Sequence, residues 1–422
     1  MDFYIITIYF LTYLGLFVFA FYSLSLLDYS KKKESLRESD DKTVTVIIPA
    51  YNESKSIEKT IESALASDYP KEKMEIIVVD DGSKDNTYEL ARKFTKSKKF
   101  RVRVYTKKNG GKGSALNFGI KKSHNEIIFT MDADSFIQPR TIKKMVAYFS
   151  NEKVMSVTPS MGVYNPKGIL QRIQQIEYYL GVFLRKSFAT LNAIHVTPGA
   201  FSAYRRKFFE KYGGYDEKNI TEDLEIALRI QSHNLIIENA PEAVVYTIAP
   251  RKFKDLLIQR KRWYAGLMKN LWHYRNLFGA KTGALGLIVL PLAVITVPIS
   301  IFLTMKIAIK ALWDLKKELI MFNSINFKFF SFFEANSYFF KNFFEKIFYK
   351  VLTDPILIIG ILFILLLIVY LHFAKKKMLY KEKVKLSLVF FILFYSLLFS
   401  FWWIMSAIYV FFNKKIAWRD KK

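Results

Sequence analysis

Four stretches of this chain carry no charged side chain, and they limit what it can fold into. No Asp, Glu, Lys or Arg lies between Asp2 and Asp28, between Lys281 and Lys306, between Asp354 and Lys375, or between Lys385 and Lys414. Each reaches or exceeds the length of about 20 apolar residues that crosses a bilayer core. The expectation is four spanning helices, one before and three after a long water-soluble stretch. The first lacks a basic start and a small-residue cleavage site and is long for a signal sequence, so it reads as a retained anchor.

Charge at the edges of these stretches orients them. Lys31, Lys32 and Lys33 follow the first and place the soluble part in the cytoplasm. Lys375 to Lys377, with Lys381, Lys383 and Lys385, mark a second cytoplasmic turn. Four crossings then leave the C-terminus outside, although Lys414, Lys415, Arg419, Lys421 and Lys422 favour the inside. A fifth crossing through the Phe-rich segment 322–348 repairs the tail but moves the turn at 375–385 outside. Both topologies stay open. The protein is expected in the cell membrane, multi-pass, with its soluble domain cytoplasmic.

The formal net charge of +27 fits anionic lipid headgroups or a polyanionic ligand. Nucleic acid is not expected, because zinc-ligand spacing and RNA-binding aromatic signatures are missing. With no cysteine, disulfides and thiolate-ligated metals are excluded. The chain divides into an N-terminal anchor and basic linker (1–40), a soluble α/β domain (41–250), an interfacial helix (251–281) and a C-terminal membrane region (282–422). That last region includes three helices and a Phe-rich loop, 312–354, which could lie in the interface, cap an exit or bind a partner.

In the soluble part, short apolar runs alternate with amphipathic ones. Thr43–Tyr51, Met74–Ser83, Phe100–Thr106 and Glu126–Asp134 read as strands. Ser54–Ser67, Asn86–Lys96 and Gly110–Lys122 read as helices between them, with Ser54 a candidate N-cap. Such alternation implies a mostly parallel sheet, and ligands bind at the carboxyl ends of its strands. The residues just past those ends are Asn52 and Glu53, Asp80 and Asp81, and Asp132 and Asp134.

Each cluster has two readings. "DDGS" is either a turn in which Asp81 caps the next helix or part of a ligand site. "MDADS" places two carboxylates one residue apart after an apolar strand, a pattern that can hold one hard divalent ion with phosphate completing its shell. "TEDLEIALRI", Thr221 to Ile230, opens a helix; its acids either complement the macrodipole or make Asp223 a general base. "QRKRW", Gln259 to Trp263, sets Gln259, Arg262 and Trp263 near one helical face. It reads as a helix lying on the membrane, as a site for sugar and diphosphate, or as both at once. Ile169–Lys186 reads as a second interfacial helix.

Seven motifs in order, "VIIPAYNE", "VVDDGS", "GGKGSALN", "MDADS", "TPGAFSAYR", "TED" and "QRKRW", flanked by apolar segments, resemble the membrane-anchored family-2 inverting glycosyltransferases. Within that family the chain looks most like processive polysaccharide synthases of the cellulose, chitin, hyaluronan and poly-N-acetylglucosamine type. The resemblance implies a GT-A-like fold and a nucleotide-diphosphate sugar donor, UDP-sugar being expected. It implies that Pro49, Tyr51, Glu53, Asp80 and Asp81 hold the nucleoside, that Lys112 meets the pyrophosphate, and that Asp132 binds the donor. Asp132 and Asp134 would hold Mg2+ or Mn2+, Asp134 being the direct ligand. Asp223 would be the base, the surroundings of Gly199 would line the acceptor sugar, and Arg262, with Arg260 or Lys261 in reserve, would clamp the departing diphosphate. Trp263 would pack against the acceptor.

The implied reaction extends a β-linked polysaccharide by one inverting displacement. The Q-x-x-R-W motif also occurs in transferases that add one sugar to a lipid, so a polyprenyl phosphate or glycolipid acceptor is the alternative. A non-catalytic scaffold would require all the carboxylate sites to be intact by accident. Larger synthases have more membrane helices, which leaves room here for an accessory subunit or a homo-oligomer.

Overall fold

The computed structural model describes residues 3–32, 38–324 and 385–414, with isolated residues between 345 and 369. The chain divides into two compact units, one of residues 22–292 with 374–422 and one of residues 1–21 with 293–373.

The first unit is built on an eight-stranded sheet. In chain order its elements are β1 (Val44–Ala50), α2 (Ile57–Leu65), β2 (Met74–Asp80), α3 (Thr87–Arg92), β3 (Arg101–Thr106), α4 (Lys112–Lys122), β4 (Ile127–Met131), β5 (Ser135–Ile137), α5 (Thr141–Val146) and β6 (Val154–Val163). They continue as α6 (Ile169–Thr190), β7 (Phe201–Arg205), α7 (Arg206–Tyr212), α8 (Glu222–Ser232), β8 (Ile236–Thr247) and α9 (Phe253–His273), with α11 (Lys385–Phe411) returning late in the chain. The strand order is β3-β2-β1-β4-β7-β6-β8-β5.

The GT-A-like expectation of an α/β sheet with flanking helices holds, with one amendment. The sheet is mostly parallel but mixed: β6 and β8 also pair parallel, and only β7 and β5 run against the rest. Strands β3, β2, β1 and β4 run parallel, as the alternation of strand and helix requires. Beyond them β7 is antiparallel to both β4 and β6, and β5 is antiparallel to β8. The parallel half has a shared register, with Ala50 opposite Asp80 and Asp80 opposite Thr106. Its carboxyl ends therefore form one rim.

Strand β1 is buried along its whole length, so its alternating residues serve two cores. Val44, Val46 and Ile48 pack with Ile57 and Ile61 of α2 and with Ile142 and Met145 of α5. Ile47 faces the other way, toward Leu116 and Ile120 of α4, Phe208 of α7 and Ile226 and Ile230 of α8. Boundaries shift slightly from expectation. The first helix starts at Ile57, and the residue before it, Ser56 rather than Ser54, takes the cap position without a side-chain cap hydrogen bond.

Helix α6, expected as a second interfacial helix, lays one face into the domain. Gln171, Ile173, Gln174, Ile176 and Tyr179 are buried, and Gln171 Nε2 donates to the Ala249 carbonyl at 2.7 Å. Its other flank, with α9, receives α11.

The remaining helices are α1 (Phe3–Lys32) and α10 (Leu290–Ser324), the latter entered through a π-helical turn, Leu285–Val289. Residues 312–324, expected as loop, are therefore helical; most of the rest of the Phe-rich segment and of the 354–375 span lies outside the described residues. Among the described residues, Leu285–Lys317 is long and apolar enough to cross a membrane. Ser387–Tyr395 and Leu397–Phe411, bent by 45°, pass the same test together, and Thr12–Leu24 is a shorter apolar helix.

Candidate active site

The strand-end rim is organised by backbone turns. Past β1, Asn52 adopts φ 55°, its N–H donates to Ser83 Oγ at 2.9 Å, and its Oδ1 accepts from Lys84 N–H at 2.8 Å. The loops after β1 and β2 are thus tied together. Tyr51 is exposed on this rim, whereas Pro49 is buried inside β1 opposite Val79. Glu53 Oε2 accepts the Ser56 hydroxyl at 3.0 Å, in the turn that starts α2.

Asp80 and Asp81 are both buried but do different things. Asp80 Oδ2 accepts from Thr106 Oγ1 at 2.9 Å, while its Oδ1 is buried with no hydrogen-bond partner among the described residues. Asp81 neither caps the following helix nor faces the rim unpaired. Its carboxylate takes the Gly110 and Gly111 N–H groups, the latter at 2.8 Å, and the Lys107 ammonium at 2.7 Å. It shapes the turn that delivers Lys112 to the first position of α4.

Lys112 meets two other segments there. Its Nζ lies 2.6 Å from Asp132 Oδ1, past β4, and 2.9 Å from Glu222 Oε1, at the start of α8. Asp223 is anchored through backbone: Gly199 N–H donates to its Oδ2 at 3.2 Å, and Thr197 Oγ1 donates to its carbonyl at 2.7 Å. Gly199 is where the groups meet. A Cβ at that position would lie 2.5 Å from Lys112 Nζ, 3.3 Å from Asp223 Oδ2 and 3.6 Å from Asp132 Oδ2, so a side chain there would fill the space they share.

The electrostatics follow from this crowding. Burial, and then the charge of Glu222, push the Asp223 carboxyl up to about 6 against the opposing pull of Lys112 and Arg262. For Glu222 burial acts the same way, but Lys112 and Arg262 outweigh it and hold the carboxyl below its usual range. Burial alone would depress Lys112; Asp132, Glu222 and Asp223 instead hold its ammonium above its ordinary value. One carboxylate is kept charged and its neighbour is brought near neutrality, a division suited to an acid–base site.

Asp134 sits differently from Asp132. Its backbone carbonyl accepts from Ile248 N–H at 3.3 Å, and Thr247 Oγ1 reaches Oδ1 at 3.5 Å, tying it to the end of β8. Among the described residues no group of three His, Cys, Asp or Glu forms a closed metal cage. Two carboxylates of hard oxygen donors, flanking Ala133, suit a divalent ion whose remaining positions are completed by diphosphate and water.

The Q-x-x-R-W residues lie on α9. Arg262 is close enough for its charge to act on both Glu222 and Asp223. Gln259 presents a buried amide oxygen with no hydrogen-bond donor among the described residues. Arg260 and Lys261, held in reserve for diphosphate, are committed elsewhere. Arg260 is buried in a bidentate pair with Glu177 of α6 (2.5 and 2.7 Å), lies 4.4 Å over Trp263 and 5.3 Å from Trp402 of α11. Lys261 lies 4.1 Å over Tyr409.

Sequence reasoning missed Glu222, hidden beside Asp223 as an ordinary first-turn acid, and Glu177. Tyr178 was missed too; its phenol feels the charges of Arg260, Glu177 and Asp134, and burial pushes it up to about 12.

Comparison with known proteins relates part of this chain to a known family. Residues 45–213 match the family described as glycosyl transferase family 2. The chain carries a family-2 glycosyltransferase domain. It is 32% identical over 236 residues to the poly-beta-1,6-N-acetyl-D-glucosamine synthase of Staphylococcus epidermidis, covering 54% of this chain and 56% of the relative. To the protein of the same name from Staphylococcus aureus (strain COL) it is 32% identical over 249 residues, covering 58% and 60%. The chain thus spans little more than half the length of these curated relatives. Among solved structures, the mannosyltransferase PcManGT from Pyrobaculum calidifontis, in complex with GDP-Man and Mn2+, aligns with TM-score 0.49 and 24% identity over 61% of this chain and 73% of that one. The glycosyltransferase match begins in β1 and ends past α7, so it contains Asp80, Asp132 and Gly199, while Asp223 and Arg262 lie beyond it.

Proposed function

We propose that this glycosyltransferase is a membrane-bound inverting enzyme that moves N-acetylglucosamine from UDP-N-acetylglucosamine onto a growing β-1,6-linked polysaccharide. The observation that carries the reading is the meeting of Asp132, Lys112 and Asp223 around Gly199, with Glu222 paired to Lys112 and Arg262 in electrostatic reach. The names of the curated relatives supply the sugar and the linkage.

In this reading Tyr51, Glu53 and Asp80 meet the nucleoside on the strand-end rim. Asp223 takes the proton of the acceptor hydroxyl as that oxygen bonds to the anomeric carbon. The bond from that carbon to the diphosphate breaks, its electron pair leaves on the β-phosphate oxygen, and configuration inverts. Lys112 and Arg262 face the charge that develops there, where preorganised cations are most effective. Mg2+ or Mn2+ held by Asp132 and Asp134 would add Lewis-acid neutralisation of the diphosphate. The unpaired Gln259 oxygen is available to an acceptor hydroxyl, and Trp263 to the apolar face of its sugar.

The apolar helices and the Lys31–Lys33 edge support a membrane location with the catalytic unit on the cytoplasmic side. The test is purified protein in lipid given radiolabelled UDP-N-acetylglucosamine with Mg2+ or Mn2+. A high-mass, glycosidase-sensitive product supports polymer synthesis. An organic-extractable glycolipid replaces it with single addition to lipid, and no product refutes both.

A further inference from the structure

Arg262 and Trp263 lie three and four residues past Gln259, and Gly266, Asn270 and Tyr274 continue from Trp263 at steps of three and four along α9 and its end. The face that carries the Q-x-x-R-W residues therefore runs on past them, and its continuation docks on the start of α8. At Gly266 the two elements meet with no room for a side chain, because a Cβ would collide with Oγ1 and Cγ2 of Thr221. One turn on, buried Asn270 makes a reciprocal amide pair with Asn219. Asn219 Nδ2 donates to Asn270 Oδ1 at 2.8 Å, and Asn270 Nδ2 donates to Asn219 Oδ1 at 3.2 Å and to Thr221 Oγ1 at 3.0 Å. Thr221 N–H also donates to Asn219 Oδ1, at 3.1 Å. Past the helix end, the Tyr274 hydroxyl donates to Glu225 Oε1 at 2.5 Å.

Apolar contacts already hold α8 to this region: Leu224 and Leu228 pack in a cluster with Leu267 and Leu271. Such contacts are non-directional and leave sliding along the helix axis weakly opposed. A buried, fully paired polar cluster is directional, and it fixes register. Thr221 precedes Asp223 by two residues, and Gly266 follows Arg262 by four.

We propose that Gly266 and Asn270 are positioning residues that fix the spacing between Asp223 and Arg262, keeping the base in register with the group that receives the departing diphosphate. The proposal rests on the transferase reading above, and binding measurements separate the two. Full-length protein in lipid is titrated with UDP and with UMP in the presence of Mg2+, and the preference for UDP reports how well Arg262 meets the β-phosphate.

Asn270→Ala is expected to lose about tenfold of that preference, since small misplacements of a charged clamp are costly, while UMP affinity is kept. Arg262→Ala sets the scale of full loss. Gly266→Ala, whose Cβ would push Thr221 away, should behave as Asn270→Ala does. Should Gly266→Ala fail to fold, Asn270→Ala decides alone. An unchanged UDP preference in Asn270→Ala, or an equal loss of UDP and UMP affinity, overturns the positioning role. A wild-type protein without any preference for UDP overturns the transferase reading, and the positioning role with it.

Discussion

Lys112 Nζ lies 2.6 Å from Asp132 Oδ1, and this pair joins the turn before α4 to the acidic loop past β4. The same ammonium reaches Glu222, so it balances carboxylates from two further segments. Lys112→Met would leave the carboxylates of Asp132, Glu222 and Asp223 without the ammonium they share, with Arg262 left to oppose the charge of Glu222 and Asp223. Removing one partner of a buried ion pair costs about 3–5 kcal/mol. The expected outcome is a clearly lowered unfolding temperature together with loss of donor turnover, measured by thermal denaturation and radiolabel transfer. A variant with wild-type stability and turnover would remove Lys112 from the site.

The pH dependence follows from Asp223. A general base must be unprotonated, so turnover should fall as pH drops through about 6, the value to which burial and Glu222 raise this carboxyl. The stability contribution has the opposite sense. Because the folded-state value lies above the unfolded one, this group favours the folded state at low pH, and that contribution is lost as pH rises through about 6. A kcat/KM profile with its acidic limb near pH 6, absent from any residual activity of Asp223→Asn, is the expected result; a limb near pH 4 would contradict it.

Two carboxylates with no third His, Cys, Asp or Glu grouped with them among the described residues should hold a divalent ion weakly until the diphosphate completes its shell. Chelation is therefore expected to abolish transfer reversibly, with Mn2+ or Mg2+ restoring it. Asp134→Ala should raise the metal concentration needed for half-maximal turnover at least tenfold, in the range seen when a metal's support is disrupted. Full activity after exhaustive chelation would exclude the metal.

Arg260, unlike Arg262, belongs to the scaffold. Arg260→Ala leaves Glu177 without its bidentate partner between α6 and α9, a loss of about 3–5 kcal/mol. Replacing both, Arg260→Met with Glu177→Met, should restore most of the unfolding temperature and retain turnover. If the double variant were stable but inactive, Arg260 would have a chemical role as well.

Sequence alone reached the parallel half of the sheet and the rim it creates, because β1, β2 and β4 are short β-branched runs separated by amphipathic helices. It missed that β7 enters the sheet antiparallel between β4 and β6, since "AFSAYR" pairs with a strand distant in the chain and no local pattern reports direction. It placed Asp132, Asp223 and Lys112 in one site, and the structure brings them around Gly199. It missed Glu222 because an acid in a first helical turn has a sufficient local explanation. The Glu177–Arg260 pair joins residues 83 apart, beyond any periodicity argument. Helix α6 reads from its amphipathic pattern as interfacial; that the glutamines on its inner face donate to the Ala249 and Pro250 carbonyls depends on residues 78 and 76 positions away, which periodicity does not report.

The most direct test of the base assignment is Asp223→Asn, assayed in one preparation for UDP binding and for transfer from radiolabelled UDP-N-acetylglucosamine. The substitution keeps the side chain's shape, and Asn Oδ1 can still accept from Gly199 N–H. The account predicts near wild-type UDP affinity with transfer reduced about 100-fold or more, the scale of general-base removal. Transfer at the wild-type rate would contradict it.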